Sequence, residues 1–358
     1  MAEGLIDAAA VTAALSGFSD PETGQNVVEA GQLRDVKVDA GHVSLTLGLS
    51  THSAILRDET AEGLRQFLRE RLPAAKDVTV NLTQHKRPPE KIGQIGLAAK
   101  SVVAVGSGKG GVGKSTIAAS LALGLRRAGS QVGLMDADVY GPSIPHLLGV
   151  NQRPEVVDNR IQPIEVAGIK LISMGLLVPP GEAVVWRGPM LHGAITQFLR
   201  DTAWGDLDFL IIDLPPGTGD IALTLSQLLP LSGAVVVCTP QEVALLDAVK
   251  AAAMFRKVNI PILGMVENMS GFVCPDCGKR YDIFGSGGAK ARAGELGIPF
   301  LGEVPINMGI RTSGDEGRTA AILDDPAAGA YLLTICKNVV RNLSQAKAQV
   351  APLPTLSL

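Results

Sequence analysis

Residues 106–116 read GSGKGGVGKST, and they follow the apolar run VVAVGS (102–107). A glycine-rich turn between a buried strand and a helix is a phosphate-binding loop. Its glycines let backbone N–H groups crowd an anion, a lysine reaches the β- and γ-phosphate oxygens, and a hydroxyl ligates magnesium. The pattern G-x-x-x-x-G-K-S/T runs from Gly108 to Ser115, with Lys114 as that lysine and Ser115 as that hydroxyl. It leaves a second lysine, Lys109, without a role.

Working outward, the apolar runs VGLMDAD, IKLISMG, FLIIDLP, AVVVCTP, ILGMVENM and FLGEVP recur between helical stretches up to residue 305. Near-continuous Val, Ile and Leu runs suit strands covered on both faces, so a mostly parallel sheet with helices on either side is expected. Ligands of such sheets bind beyond the C-terminal strand ends, which is where the motifs fall. Residues 1–85 read helix, strand, strand, helix, strand, with a turn at Ala40–Gly41, and predict a small α+β domain. Residues 86–100, charged and carrying Pro88–Pro89, read as a linker; residues 101–345 form the nucleotide domain and 346–358 a tail.

Composition narrows the function. The chain has 358 residues, 46% hydrophobic, with formal charge −3, so no global positive field favours nucleic acid or anionic lipid. The acidic N-terminus is unlike a secretory signal and no apolar run is long enough to span a membrane, so a cytoplasmic location is expected, with no nucleic-acid or membrane partner.

Phosphoryl transfer also needs a magnesium shell and a group that orients water. LMDADVYGPS (134–143) offers Asp136 and Asp138, and FLIIDLPPGTGD (209–220) offers Asp213. Any one such acid can simply cap the next helix; three beside a phosphate loop point to catalysis. The loop itself accepts adenine or guanine, and the lack of an N-K-x-D motif favours ATP.

Among the four cysteines, Cys238 and Cys336 lie in apolar stretches and read as core. Cys274 and Cys277, in SGFVCPDCGKRYDIFGSGGA (270–289), are spaced for one metal centre. A 4Fe-4S cluster takes four thiolates, so a two-fold dimer giving two from each chain closes the count. Zinc held by the same four sulfurs, or a redox pair, are the alternatives; no histidine follows His192 to complete a zinc site, and the segment reads as an extended loop rather than a helix start.

GKGGVGKST resembles the deviant Walker A loop of the ATPases that include MinD, ParA and the nitrogenase iron protein. The resemblance implies a nucleotide-sandwich homodimer in which Lys109 reaches across to the other subunit's phosphates. It further implies that Gly108, Gly110, Gly111, Val112 and Gly113 wrap the phosphates, Lys114 binds the β/γ-phosphate and Thr116 the α-phosphate. Ser115 and Asp213 would serve Mg2+, Asp138 the attacking water, with Asp136 as its alternate, and Asn268 of VENMS the adenine. With DADVYGPSIPHLLG, WRGPM, DLPPGTGD and the cysteine pair, residues 100–340 resemble the Mrp-type iron–sulfur cluster carriers, which implies apo iron–sulfur acceptors and cluster assembly proteins as partners. Residues 20–49 resemble the small iron–sulfur assembly domain often fused ahead of them, except that STHSAIL (50–56) stands where a cysteine is often found, which favours partner docking over cluster ligation there. The competing expectations are a MinD- or ParA-like positioning switch, and a metal-free regulatory ATPase or metal-insertion chaperone. Against the positioning switch, LSQAKAQVAPLPTLSL (343–358) has two prolines and no basic amphipathic helix.

Overall fold

A computed structural model describes residues 6–139, 141–177, 188–217 and 219–349. Two compact units emerge among them, residues 6–87 with 340–349, and residues 88–339.

In the smaller unit, helix α1 (Ala8–Leu15) is followed by strands β1 (Leu33–Asp39) and β2 (His42–Leu49), helix α2 (Arg57–Arg71) and strand β3 (Asp77–Gln84). β1 and β2 form a hairpin across Ala40–Gly41, both at positive φ, and β2 pairs in parallel with β3. Alternation in HVSLTLGL sends Val43, Leu45 and Leu47 into the core. There they meet Ala61, Leu64 and Leu68, the i, i+3, i+7 stripe of α2. Asp20 and Glu22 of the DPETGQN turn are buried, and Arg87 bridges both at 2.9 and 3.1 Å. Burial opposes ionisation of Asp20, but the bonds from Gln32 and Arg87 hold its carboxyl below the usual range.

The larger unit begins with a short strand β4 (Lys91–Ile92) and the long strand β5 (Leu97–Gly106), which leads through the phosphate loop into α3 (Lys114–Ala128). β6 (Val132–Asp136), α4 (Ile144–Leu147), the hairpin β7 (Val156–Val157) and β8 (Arg160–Ile161), β9 (Ile164–Val166) and β10 (Ile169–Ser173) follow. Next come α5 (Gly188–Asp201), β11 (Leu207–Asp213), α6 (Gly219–Leu228), β12 (Gly233–Cys238), α7 (Glu242–Lys257) and β13 (Ile262–Val273). β14 (Arg280–Tyr281), α8 (Gly288–Leu296), β15 (Phe300–Ile306) and α9 (Met308–Asp315) complete it before α10 (Gly329–Gln349), whose last turns belong to the smaller unit. Seven strands run parallel in the order β15-β13-β12-β5-β11-β6-β10, with β4, β9 and β14 antiparallel at the margins. The seven apolar runs are those seven strands, and β11 and β12 are buried along their whole length.

One boundary differs from the expectation. Residues 91–100, read as linker, contain β4 and the start of the central strand, so the connection is shorter than 86–100. Charge concealed the strand: the Lys100 side chain on β5 is largely covered and ion-paired with that of Asp208 at 2.9 Å. At the other end α10 continues to Gln349, past the expected domain limit at 345.

Candidate functional site: a phosphate cleft and a thiol pair joined by one strand

The phosphate loop owes its shape to what surrounds it. A Cβ on Gly108 would fall 2.1 Å from the backbone oxygen of Asp247 on α7. One on Gly113, whose φ is +79°, would fall 2.1 Å from Asn268 Nδ2. Only glycine fits at either place. α3 then starts at Lys114 with its first amides facing the loop, an anion-binding arrangement.

The loop borders a cleft of 470 Å³ lined by Lys109, Gly110, Gly111, Gly113, Lys114, Ser115, Thr116 and Asp138. Ser107, Gly141, Ser143, Leu147 and Pro216 complete the wall; all five lie within the quoted motifs, which gave them no individual role. Lys114 Nζ lies 2.6 Å from Asp213 Oδ1 and 3.8 Å from Asp138 Oδ2, and Ser115 Oγ donates to Asp213 Oδ2 at 2.5 Å. Asp213 and Asp136 end neighbouring parallel strands in direct register. Burial and the mutual repulsion of the two carboxylates push Asp136 up to about 7; burial likewise raises Asp213, against the pull of Lys114.

Asp136 and Asp138 occupy different positions. Asp138 faces the cleft, whereas Asp136 is fully buried behind it. Asp136 accepts from the amides of Asp138 and Ile144 at 3.1 and 3.4 Å and from Ser173 Oγ at 2.9 Å, closing the loop that carries Asp138. Ser173 ends β10 and has no sequence signature beyond its strand.

Lys109 is half-exposed at the cleft and makes no ion pair with a described residue. Asn268 is not on the cleft wall: its amide nitrogen donates to the Val112 carbonyl at 2.9 Å, fastening β13 to the phosphate loop. Trp186 and Arg187 of WRGPM, Tyr140 and Thr218 lie outside the described residues.

β13 ends at Val273, and the thiol pair follows at once on the turn toward β14. The Cys274 amide donates to the Lys279 carbonyl at 3.0 Å, and the Gly278 amide to the Cys274 carbonyl at 2.9 Å. Gly278 closes the turn at φ +68°. Amides of Cys277 and Asp276 and the Cys277 thiol point at the Cys274 sulfur, which holds its thiol below the usual range. Cys274 is half-buried and Cys277 exposed, while burial pushes Cys238 and Cys336 up to about 12. The core reading of those two matches their burial. Among the described residues no three His, Cys, Asp or Glu side chains converge on a metal position; the turn presents two thiols. No described helix is long and apolar enough to cross a membrane.

Comparison with known proteins identifies the family. Residues 98–340 match the family described as NUBPL iron-transfer P-loop NTPases, and residues 8–82 match an iron–sulfur cluster assembly protein family. An iron–sulfur cluster carrier protein of Deinococcus radiodurans is 44% identical over 349 residues, covering 95% of this chain and 98% of the relative. That of Escherichia coli K12 is 43% identical over 324 residues, 88% and 86% of the two chains. Among solved structures, an Archaeoglobus fulgidus nucleotide-binding protein in complex with ADP superposes with a TM-score of 0.57 at 41% identity, covering 64% of this chain and 90% of its own. The cell division ATPase MinD of Pyrococcus furiosus, with a TM-score of 0.50 at 20% identity, covers 67% and 98% and shares the fold. With the phosphate loop, the acidic strand ends and the thiol turn all inside the matched span, the chain belongs to the NUBPL-type iron-transfer P-loop NTPases.

Proposed function

We propose that this protein is an ATP-hydrolysing iron–sulfur cluster carrier, in which two chains hold one 4Fe-4S cluster as cargo through Cys274 and Cys277 of each and pass it to apo-proteins. The observation that carries the reading is the accessible thiol pair, Cys274 half-buried and Cys277 exposed, at the end of a strand whose middle is bonded to the phosphate loop. Two sulfurs leave a cluster half-ligated, so a second copy of the same turn supplies the rest. A cluster bridged by exposed turns is open to exchange, as a carrier requires. The named relatives are themselves cluster carriers, which supports the reading.

In the nucleotide site Lys114 binds the β- and γ-phosphate oxygens, leaving Asp213 to face Ser115. Those hard oxygens, buried beside the cleft, fit Mg2+, which would neutralise charge developing on the phosphates. Asp138, on the cleft wall, orients the water that attacks the γ-phosphorus, and Asp136 holds the Asp138 loop in place. Positioning rather than covalent chemistry predicts slow turnover. Lys109, without an ion pair among the described residues, reaches the phosphates of the second subunit. The small unit, without the cysteine often found in its family, docks partner proteins, and the protein works in the cytoplasm. The test is anaerobic reconstitution with iron and sulfide: about four irons per dimer with a cluster absorbance is expected by the ligand count, and a full iron load in the Cys274→Ser/Cys277→Ser variant rejects the bridged site.

A further inference from the structure

Strand β13 carries both functional elements within 7 residues: Asn268, bonded to the Val112 carbonyl of the phosphate loop, and Cys274, the first residue beyond its end. Between them the strand is irregular. Its pairing with β15 jumps from Asn268 to Phe272, Met269 sits at φ +58° and Gly271 at φ +68°. A non-glycine residue in the left-handed region is held there by its surroundings. Those surroundings are a polar network. Ser270 Oγ lies 2.6 Å from Glu267 Oε1 and 2.8 Å from Glu303 Oε2.

The two carboxylates belong to different parts of the molecule. Glu267 precedes Asn268 and accepts the amides of Gly287 and Ala289 at 2.7 and 2.6 Å, so it is fixed to the start of α8. Glu303, on β15, accepts Arg280 at 2.9 Å, and Arg280 lies on β14, the strand that returns from the thiol turn. Arg280 also donates to the Ser270 carbonyl at 3.3 Å. A hydroxyl has one hydrogen, and Ser270 has two carboxylate acceptors. Donation to Glu267 ties Ser270 to the residue next to Asn268; donation to Glu303 ties it to the residue that holds Arg280. Space leaves the loop little independent movement, because Asn268 is packed against Gly113. A loop that shifts on binding phosphate carries Asn268 with it.

We propose that Ser270 and Arg280 are positioning residues that couple the nucleotide site to the cysteine pair along β13, so that phosphate-loop occupancy sets the placement of Cys274 and Cys277 within the same chain. The proposal rests on the carrier reading for its purpose but not for its test. It assigns the coupling to one strand rather than to the subunit interface, so it operates before any cluster is bound.

The full-length, cluster-free protein is treated with a thiol-alkylating reagent with and without Mg-ATP, and modification of Cys274 and Cys277 is followed by mass spectrometry; Cys238 and Cys336 are buried and slow. Wild type should show a nucleotide-dependent change of at least about 5-fold in rate, the low end of ordinary site-to-site coupling. Ser270→Ala and Arg280→Gln should bind ATP as wild type does while the effect of nucleotide falls within about 2-fold, far below that coupling range. Arg280→Lys, which keeps the charge but not the forked geometry, should restore part of it. A wild-type rate indifferent to nucleotide overturns the proposal, as does an effect that survives in both variants. Iron loading is measured separately: thiols that respond to nucleotide in a protein that never takes up iron would reject the carrier reading and leave the coupling standing.

Discussion

In the proposed site Lys114 binds phosphate and also pairs with Asp213, and the two roles can be separated by mutation. Its ammonium lies 2.6 Å from Asp213, with both side chains more than nine-tenths buried. Lys114→Ala therefore removes the phosphate ligand and also strands a buried carboxylate. Removing one member of a buried ion pair costs about 3–5 kcal/mol, because the remaining charge has lost its partner. Asp213 limits that cost by taking up a proton, each unit of pKa shift being worth about 1.4 kcal/mol. A loss of about 3 kcal/mol near neutral pH corresponds to a fall of about 6–12 °C in Tm for a domain of this size.

The pH dependence has a definite sign. Asp213 is already raised above 3.8 by burial, and loss of Lys114 raises it further. An acid with a raised folded-state pKa keeps a proton that the unfolded chain releases, so stability falls as pH rises from the unfolded value toward the folded one. The gap between wild type and Lys114→Ala should thus be small near pH 5 and widen toward pH 8. Asp213→Asn added to Lys114→Ala should recover most of the lost Tm while nucleotide binding stays absent. Calorimetry across that pH range with a nucleotide-binding titration checks both. A gap that does not change with pH, or no recovery in the double variant, would refute the buried-pair argument.

Asp138→Ala should keep ATP binding and lose turnover in a phosphate-release assay; unchanged turnover would refute the water-orienting role of Asp138. Lys109→Ala should bind ATP nearly as well as wild type but fail to close the dimer, read by sedimentation with a slowly hydrolysed analogue; in mixed dimers, impairment of the site in the same chain would show the in-trans assignment to be wrong. Cys274→Ser and Cys277→Ser should each retain almost no iron after reconstitution while still binding ATP. Alkylation of native wild type near pH 7 should modify Cys274 well before Cys238 or Cys336, since turn amides lower the first thiol and burial raises the other two to about 12.

How much of this was legible in the sequence depended on how far each interaction reaches along the chain. The phosphate loop, the acidic strand ends and the cysteine pair are short patterns, each written in consecutive residues, and all three lie at strand ends of the parallel sheet. β5 was legible only from Ser101 because Lys100 looks solvated until Asp208, more than a hundred residues away, is placed beside it. The same limit hid Ser173, which reaches Asp136 across 37 residues, and the bond from Asn268 to Val112 across 156. Asp136 and Asp138 were inseparable in the D-A-D motif because residues two apart share a strand face, whereas the chain leaves β6 after Asp136 and turns only Asp138 to the cleft. The network at Ser270 is the extreme case. Its members come from β13, β14, β15 and the start of α8, and no one of them taken alone signals the others. Only pairing of β13 with both β14 and β15 brings them together, and that pairing sets the nucleotide loop and the thiol turn on one strand.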